Sequence, residues 1–300
     1  MKISPSQFIK YLASKLAIGS LSLLSRLPKC FGYQFGALLG LVAFGCSARR
    51  RAIARRNIEV CFPSLGKRAK RRLERLCFVD NGIGLIESSW VWFGSCESKN
   101  LEIDVRGSDL LERSVELKRG VLLICAHYTT LELSAFVINA LVGPFVITYR
   151  PHQNPVFESA ISEGRSRYGD LVSVRKIKSI VSSLKTGRVV WFGPDQDMGP
   201  RGSVFADFFG RSACTVTTPA RIARATECEV IFCAIRREAG KYIIEFKSMS
   251  ECYPSTNEEV NARELNAMIE QSVAISPSQY MWMHRRFKTN PDGSRHGFYD

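Results

Sequence analysis

The sequence lacks the cysteine patterns that mark structural metal sites and disulfide frameworks. Its ten cysteines are scattered and form neither a Cys-x-x-Cys pair nor a paired Cys/His cluster. This argues against a structural zinc site and against a small disulfide-bonded domain, so we expect reduced thiols in a chain that faces the cytosol. Internal repeats and low-complexity segments are also absent, and 300 residues suffice for one large domain or two modest ones.

Acidic residues are scarce in the N-terminal quarter. Residues 1–75 contain 16 Lys or Arg and only 2 acidic residues, so they carry the whole net charge of +14, whereas residues 76–300 are balanced. Basic residues beside apolar segments are typical of the cytoplasmic side of a membrane, where each contributes roughly 1 kcal/mol near anionic headgroups. Nucleic acid is the other partner that such charge suits, but no nucleic-acid-reading motif accompanies it, so we expect none.

Two apolar segments precede the densest basic cluster. Residues 8–27 carry three basic residues, and residues 30–48 form a charge-free run of 19 residues that ends just before three consecutive arginines. A signal peptide is disfavoured because no clear small-residue cleavage site precedes a polar start. We predict an anchor helix at 8–27, spanning or deeply inserted, and a second membrane-embedded or interfacial helix at 30–48. The alternative is a buried helical hairpin of a soluble protein.

Most of the remaining chain alternates strand and helix patterns. Short apolar runs predict strands at residues 103–105, 121–126, 145–149, 171–174, 189–192, 230–235 and 242–246, with helices between many of them. This alternation predicts a three-layer αβα domain of the α/β class with a mostly parallel sheet. We divide the chain into membrane-associated helices (1–48), a basic helical segment (49–115) and the α/β domain (116–300).

A histidine stands where the strand at 121–126 ends. His127 and Glu132 are five residues apart, which is roughly 140° on a continuous helix. They can therefore meet only if His127 lies in the turn before the next helix, at the carboxyl edge of the sheet. A carboxylate that accepts one imidazole N–H leaves the other nitrogen free to act as a general base. The alternative is a strand-end histidine that is satisfied by a backbone carbonyl.

Polar residues also follow two later strands. Arg150 follows the strand at 145–149, and a Gly- and Pro-containing loop after residue 192 carries Asp195, Asp197 and Arg201. Arginine binds phosphate and carboxylate oxygens bidentately, so their convergence predicts a cleft for an anionic substrate. The alternatives are a surface ion pair for Arg150 and loop-capping Asx turns for the aspartates. A metal site of the Asp-x-Asp type is disfavoured because no third ligand is evident nearby.

Several longer motifs carry a resemblance to a known family. They are Arg56-Asn-Ile-Glu-Val-Cys-Phe-Pro63, His127-x4-Glu132-Leu, Tyr149-Arg-Pro-x-x-Asn-Pro155, Val190-Trp-Phe-Gly-Pro-Asp-Gln-Asp-x-Gly-Pro-Arg201, Ser203-Val-Phe205 and Gln279-Tyr-Met-Trp-Met-His-Arg-Arg-Phe-Lys-Thr289. Across nearly the whole chain, the sequence resembles the late (secondary) acyltransferases of lipid A biosynthesis, especially the lauroyl-type enzymes that act on Kdo2-lipid IVA. The His-x4-Glu pattern is shared by a wider superfamily, whereas the closing motif is more specific. Gln196 departs from the many members that have histidine there.

The resemblance implies an inner-membrane acyltransferase that faces the cytoplasm. It would move a fatty acyl group from an acyl carrier protein (ACP) thioester to a hydroxyl of a hydroxyacyl chain on a Kdo-bearing lipid A precursor. His127 would be the base and Glu132 would orient it, with no metal or bound cofactor. Substrate-binding residues would be Arg150, Asp195, Asp197, Arg201, Arg285 and Arg286. The alternatives are acylation of glycerol phosphate or lysophosphatidate, and a non-catalytic membrane lipid-binding protein.

Overall fold

A mostly parallel sheet forms the centre of the molecule in the computed structural model, which describes residues 5–292 and 297–299. Its strands are Ile103–Arg106 (β1), Val121–Cys125 (β2), Phe145–Tyr149 (β3), Gly169–Ser173 (β4), Val189–Phe192 (β5), Glu229–Glu238 (β8) and Lys241–Ser248 (β9). Their order across the sheet is β1-β9-β8-β2-β5-β3-β4, and every neighbouring pair is parallel except β8–β9. A separate antiparallel hairpin consists of Ser203–Phe208 (β6) and Arg211–Val216 (β7).

Helices connect and cover the strands. They are Pro5–Leu24 (α1), Lys29–Cys46 (α2), Ala48–Cys61 (α3), Lys67–Trp92 (α4), Ser108–Glu116 (α5), Leu131–Val142 (α6), Pro155–Arg165 (α7), Ile177–Lys185 (α8), Thr218–Thr226 (α9) and Glu258–Ile275 (α10), with short 3₁₀ turns at Glu97–Lys99 and Pro277–Gln279. Helix α4 contacts α6 and α7, α5 contacts α6, and α8 packs against α9. The predicted layered α/β fold is confirmed.

The centre of the sheet is fully buried because its strands are short runs of Val, Leu, Ile and Phe. All five residues of β2 are buried, and β2 lies between β8 and β5. Strands that are covered on both faces are expected to be apolar along their whole length. Because β2, β3 and β5 are parallel, their carboxyl ends meet at one edge of the sheet, where His127, Arg150 and Asp195 follow them.

Helices α1 and α2 begin and end within three residues of the predicted segments 8–27 and 30–48. In the part of the chain that the structure describes, α2 is the one helix that is long and apolar enough to cross a membrane, by length and composition alone. Its buried positions are Gly32, Gly36 and Gly40, which face α4. A Cβ atom on Gly40 would lie 2.2 Å from the carbonyl oxygen of Phe78, so glycine is needed for this close approach of two helices.

Candidate active site

A cleft opens at the carboxyl ends of β2, β3 and β5. It consists of two adjoining cavities of about 320 Å³ and about 290 Å³, and both are lined by His127, Arg150 and Gln196. The first cavity extends over the apolar side chains of Leu131, Ala135, Phe145 and Ile147. The second is lined by Arg150, Arg175 and Arg201 and by no carboxylate. Both cavities therefore combine apolar walls with arginine side chains, and His127 lines both.

The His127 ring is held by Asp195, which follows the neighbouring strand. The Asp195 Oδ1 atom lies 2.5 Å from Nδ1 of the ring, and Oδ2 accepts a 3.0 Å hydrogen bond from the backbone N–H of His127. Asp195 is only 1% exposed, whereas the His127 side chain retains 22% of its exposure. The carboxylate thus fixes the ring and its backbone together and leaves Nε2 as the ring nitrogen for a substrate.

Opposing effects set the pKa values of this pair. Burial lowers the pKa of His127, but the negative charge of Asp195 and its hydrogen bond outweigh burial, so the pKa is raised above its ordinary value. Burial raises the pKa of Asp195, yet the charge of His127 and its hydrogen bonds hold that pKa well below its usual range. Asp195 is therefore ionised at neutral pH, and it stabilises the imidazolium that forms when Nε2 takes a proton.

Glu132 does not hold the imidazole, so the predicted His127–Glu132 hydrogen bond is wrong. Both Glu132 oxygens accept hydrogen bonds from Arg165 at the end of α7, one of them from Nε at 3.0 Å. His127 does lie in the turn before α6, as that pairing required, but Asp195 occupies its Nδ1 and Arg165 occupies both oxygens of Glu132. Glu132 and Arg165 still line the first cavity together with His127.

The family model for bacterial lipid A biosynthesis acyltransferases matches residues 4–289. The chain belongs to this family. It is 35% identical to the lipid A biosynthesis lauroyltransferase of Escherichia coli K12, over 95% of this chain and 94% of the relative. It is 34% identical to the palmitoleoyltransferase of the same strain over the same shares, and 30% identical to a lipid A biosynthesis acyltransferase of Haemophilus influenzae, over 90% of this chain and 86% of the relative. The protein is thus an acyltransferase of lipid A biosynthesis.

Two of the remaining predicted substrate-binding residues of this acyltransferase lie in the cleft. Arg150 is exposed and lines both cavities, and Arg201 is exposed in the second. Arg285 is not among the lining residues, and its guanidinium lies 5.6 Å from the centre of the Tyr299 ring. Arg150 and Arg201 therefore supply positive charge where an anionic substrate would enter.

Asp197 and Arg286 are core residues rather than cleft residues, which corrects the expectation from the sequence. Asp197 accepts hydrogen bonds from the backbone N–H of Gly199 and from the backbone and hydroxyl of Thr289, so it ties its loop to the C-terminal segment. Arg286 is 1% exposed, and its donors reach the Cys214 carbonyl and the side chains of Thr215 and Asn266. These bonds hold both side chains inside the fold, although Nε of Arg286 has no hydrogen-bond partner.

Three further residues of the candidate site were given no role in the sequence analysis, although one of them, His284, stands in the closing motif. Arg165 and Arg175 line the cleft, but they are separated from His127 by many residues and belong to no motif that we recognised. His284 lies near Asp195 and His127, and burial lowers its pKa to about 4, so its ring is neutral. Within residues 5–292 and 297–299, no group of three His, Cys, Asp or Glu side chains is arranged to hold a metal ion.

Proposed function

We propose that this acyltransferase moves a fatty acyl group from an ACP thioester to a hydroxyl of a hydroxyacyl chain on a Kdo-bearing lipid A precursor. The printed names of the relatives, a lauroyltransferase and a palmitoleoyltransferase of lipid A biosynthesis, support the transfer of a fatty acyl chain. The cleft supports the substrate class, because its apolar walls suit acyl chains and its arginines suit phosphate or carboxylate groups.

The observation that carries this proposal is the His127–Asp195 pair in the cleft. Nε2 of His127 removes the hydroxyl proton as the acceptor oxygen attacks the thioester carbonyl. The tetrahedral intermediate then collapses, the C–S bond breaks, and the imidazolium returns its proton to the departing thiolate. General-base help of this kind is worth roughly 10²–10⁴ in rate. Because a thioester is already activated, the reaction balances without a covalent acyl-enzyme, a metal or a bound cofactor.

Glu132 supports the site through Arg165 rather than through the imidazole. The carboxylate holds the guanidinium of Arg165 against the first cavity, and its negative charge adds to the rise in the pKa of His127. Arg165 uses Nε and one terminal nitrogen for this pair. The other terminal nitrogen is left to donate to an oxygen of a substrate bound in the first cavity, which Arg165 lines together with His127.

The proposed site of action is the cytoplasmic face of the inner membrane. The apolar α2 helix, the exposed hydrophobic side chains of α1 and α2, and the excess positive charge of residues 1–75 support contact with an anionic lipid surface. Lipid A precursors carry acyl chains, so an enzyme that acylates them must meet them at a membrane.

Mass spectrometry of lipid A tests the proposal. Cells that gain the protein should gain one acyl chain on lipid A, and cells with the His127→Ala variant should not. Circular dichroism should show that this variant still folds, with a lower melting temperature because the buried Asp195 loses its partner. His152→Ala is the matched control, because His152 is exposed and lies outside the cleft lining. An unchanged lipid A profile with the wild-type protein, or full acylation with His127→Ala, would contradict the proposal.

A further inference from the structure

A large apolar surface lies on the two N-terminal helices. Most of the large hydrophobic side chains that the structure shows as exposed belong to α1 and α2, namely Phe8, Ile9, Tyr11, Leu12, Leu16, Leu23, Phe31, Phe35, Leu38, Leu41 and Val42. Contiguous apolar surface of this kind marks a site that binds a membrane or another protein. Lys10 and Lys15 lie on α1, and Arg49 to Arg51 follow α2 directly. Positive charge beside an apolar face favours an anionic lipid surface as the occupant.

The opposite face of α2 is attached to the body along its whole length. Gly32 faces Ile86 and Trp90 of α4, and Gly40 faces Phe78, so the two helices run antiparallel in close contact. Farther along, α4 contacts the active-site turn, since a Cβ on Gly84 would lie 2.3 Å from the Thr129 carbonyl oxygen. The helix that could cross a membrane by composition is therefore fastened to the catalytic domain.

This attachment decides how α2 can meet a bilayer. Eighteen residues of helix are about 27 Å long, close to the hydrocarbon thickness of roughly 30 Å. If α2 crossed the bilayer in this arrangement, α4 would enter with it, together with Asp80, Glu87 and their partner Arg237. Ionisable groups and open sheet edges are very unfavourable at that depth. A helix that lies in the plane of the membrane avoids this cost and still buries its exposed face.

Helix α1 is fastened in the same way. The Asn154 side chain, at the start of α7, donates a 2.7 Å hydrogen bond to the Ser14 hydroxyl. The turn after α1 is held by a hydrogen bond from the Ser95 hydroxyl to the Ser25 carbonyl and by one from the Lys99 ammonium to the Leu27 carbonyl. Both helices thus present one face to the body and the other outward.

We propose that α1 and α2 form an in-plane docking surface that enters only the cytoplasmic leaflet, with both helices and the turn between them on the cytoplasmic side. This inference rests on the membrane association included in the proposed function. It also gives the cleft a route to its lipid substrate. Asn154, which holds α1, is four residues beyond Arg150 at the cleft. A lipid acceptor in the same leaflet therefore reaches the cleft beside α1 without leaving the membrane.

Thiol labelling of the full chain tests whether either helix crosses. Cys30→Ser and Cys46→Ser first remove the exposed native thiols at the two ends of α2. In that background we would introduce Arg26→Cys in the exposed turn and Arg49→Cys after α2, and treat spheroplasts and inverted inner-membrane vesicles with a membrane-impermeant maleimide. Both positions should be labelled only in inverted vesicles, as should the exposed native Cys252, which reports the side of the body. Labelling of Arg26→Cys in spheroplasts would overturn the inference. So would a site that reacts only after detergent, because it would lie in the hydrocarbon.

A second measurement tests the surface itself. Leu38 and Leu117 are exposed to the same degree, 56% and 57%, but only Leu38 lies on α2. Leu38→Glu should weaken flotation with vesicles of phosphatidylethanolamine and phosphatidylglycerol by about tenfold or more, and Leu117→Glu should not. Equal flotation of the two variants would overturn the inference. Acyl transfer by the wild-type protein in detergent micelles, measured in parallel, reports on the proposed reaction independently of the membrane surface.

Discussion

The Asp195→Asn variant removes the negative charge beside His127 while it keeps the size of the side chain. Asparagine is nearly isosteric, so the loop and the core should remain folded. The carboxylate accepts two hydrogen bonds, one from Nδ1–H of His127 and one from its backbone N–H. An amide has one oxygen, so it can serve only one of these donors, and it faces the other with an NH₂ group. The variant therefore loses the charge and one of the two bonds that fix the ring.

We expect a loss of roughly 10²–10⁴ in kcat/KM, the range that general-base catalysis contributes. At 1.36 kcal/mol for each factor of ten, this corresponds to about 2.7–5.4 kcal/mol of transition-state stabilisation. The structure supports a value above the lower end, because Asp195 is buried and directly bonded to the ring, where water screens its charge little.

The pH profile provides the sharper test. The base must be neutral, so activity rises with pH through the pKa of His127, which Asp195 raises above its ordinary value. In Asp195→Asn the opposing effect of burial remains while the raising effect of the carboxylate is gone. The pKa of His127 should therefore fall, and the rising limb should move to lower pH.

The assay is the initial rate of acyl transfer from acyl-ACP between pH 5 and pH 9, with the thermal unfolding temperature measured on the same samples. Asp170→Asn is the matched control, because Asp170 is exposed on β4 and pairs with Arg188. This control variant should change neither the rate of acyl transfer nor the pH at which activity rises. If Asp195→Asn kept more than a tenth of the activity, or if its rising limb stayed in place, Asp195 would not be the group that supports the base.

The sheet was predictable because its central strands have a simple composition. The strands β2, β3 and β5 are buried runs of four or five mostly apolar residues, and that pattern does not depend on their neighbours. The β6–β7 hairpin was missed. Its turn contains Phe209 and Gly210, both with positive φ, whereas a recognisable hairpin turn has Asn or Asp before glycine. The packing of β6 against α10 supports this turn, and packing is not visible in a local pattern.

The chemistry of the site was predictable in part. His127 and Asp195 were both identified from the sequence. Glu132 was predicted to be the partner of the imidazole, because His127 and Glu132 lie only five residues apart in one segment. The true pairing depends on the order of the strands. In the register of β2 and β5, Ile124 lies opposite Phe192. His127 lies three residues beyond Ile124 and Asp195 lies three residues beyond Phe192, so adjacency of the two strands brings the ring and the carboxylate to the same level.

Two other changes test the ion pair and the buried arginine. Glu132→Gln should lower the free energy of unfolding by about 3 kcal/mol, because Arg165 is left without its partner, and should reduce the transfer rate. Glu163→Gln is the control, because Glu163 forms an exposed ion pair on α7. It should change neither the free energy of unfolding, measured by denaturant titration, nor the transfer rate. Arg286→Lys should also lower the free energy of unfolding by about 3 kcal/mol, since an ammonium cannot reach the three acceptors that the planar guanidinium joins. Its KM for the lipid acceptor, measured per folded molecule, should stay at the wild-type value, because the side chain is enclosed by the core. A raised KM with unchanged stability would instead mean that Arg286 binds the substrate, and the packing argument for this residue would be wrong.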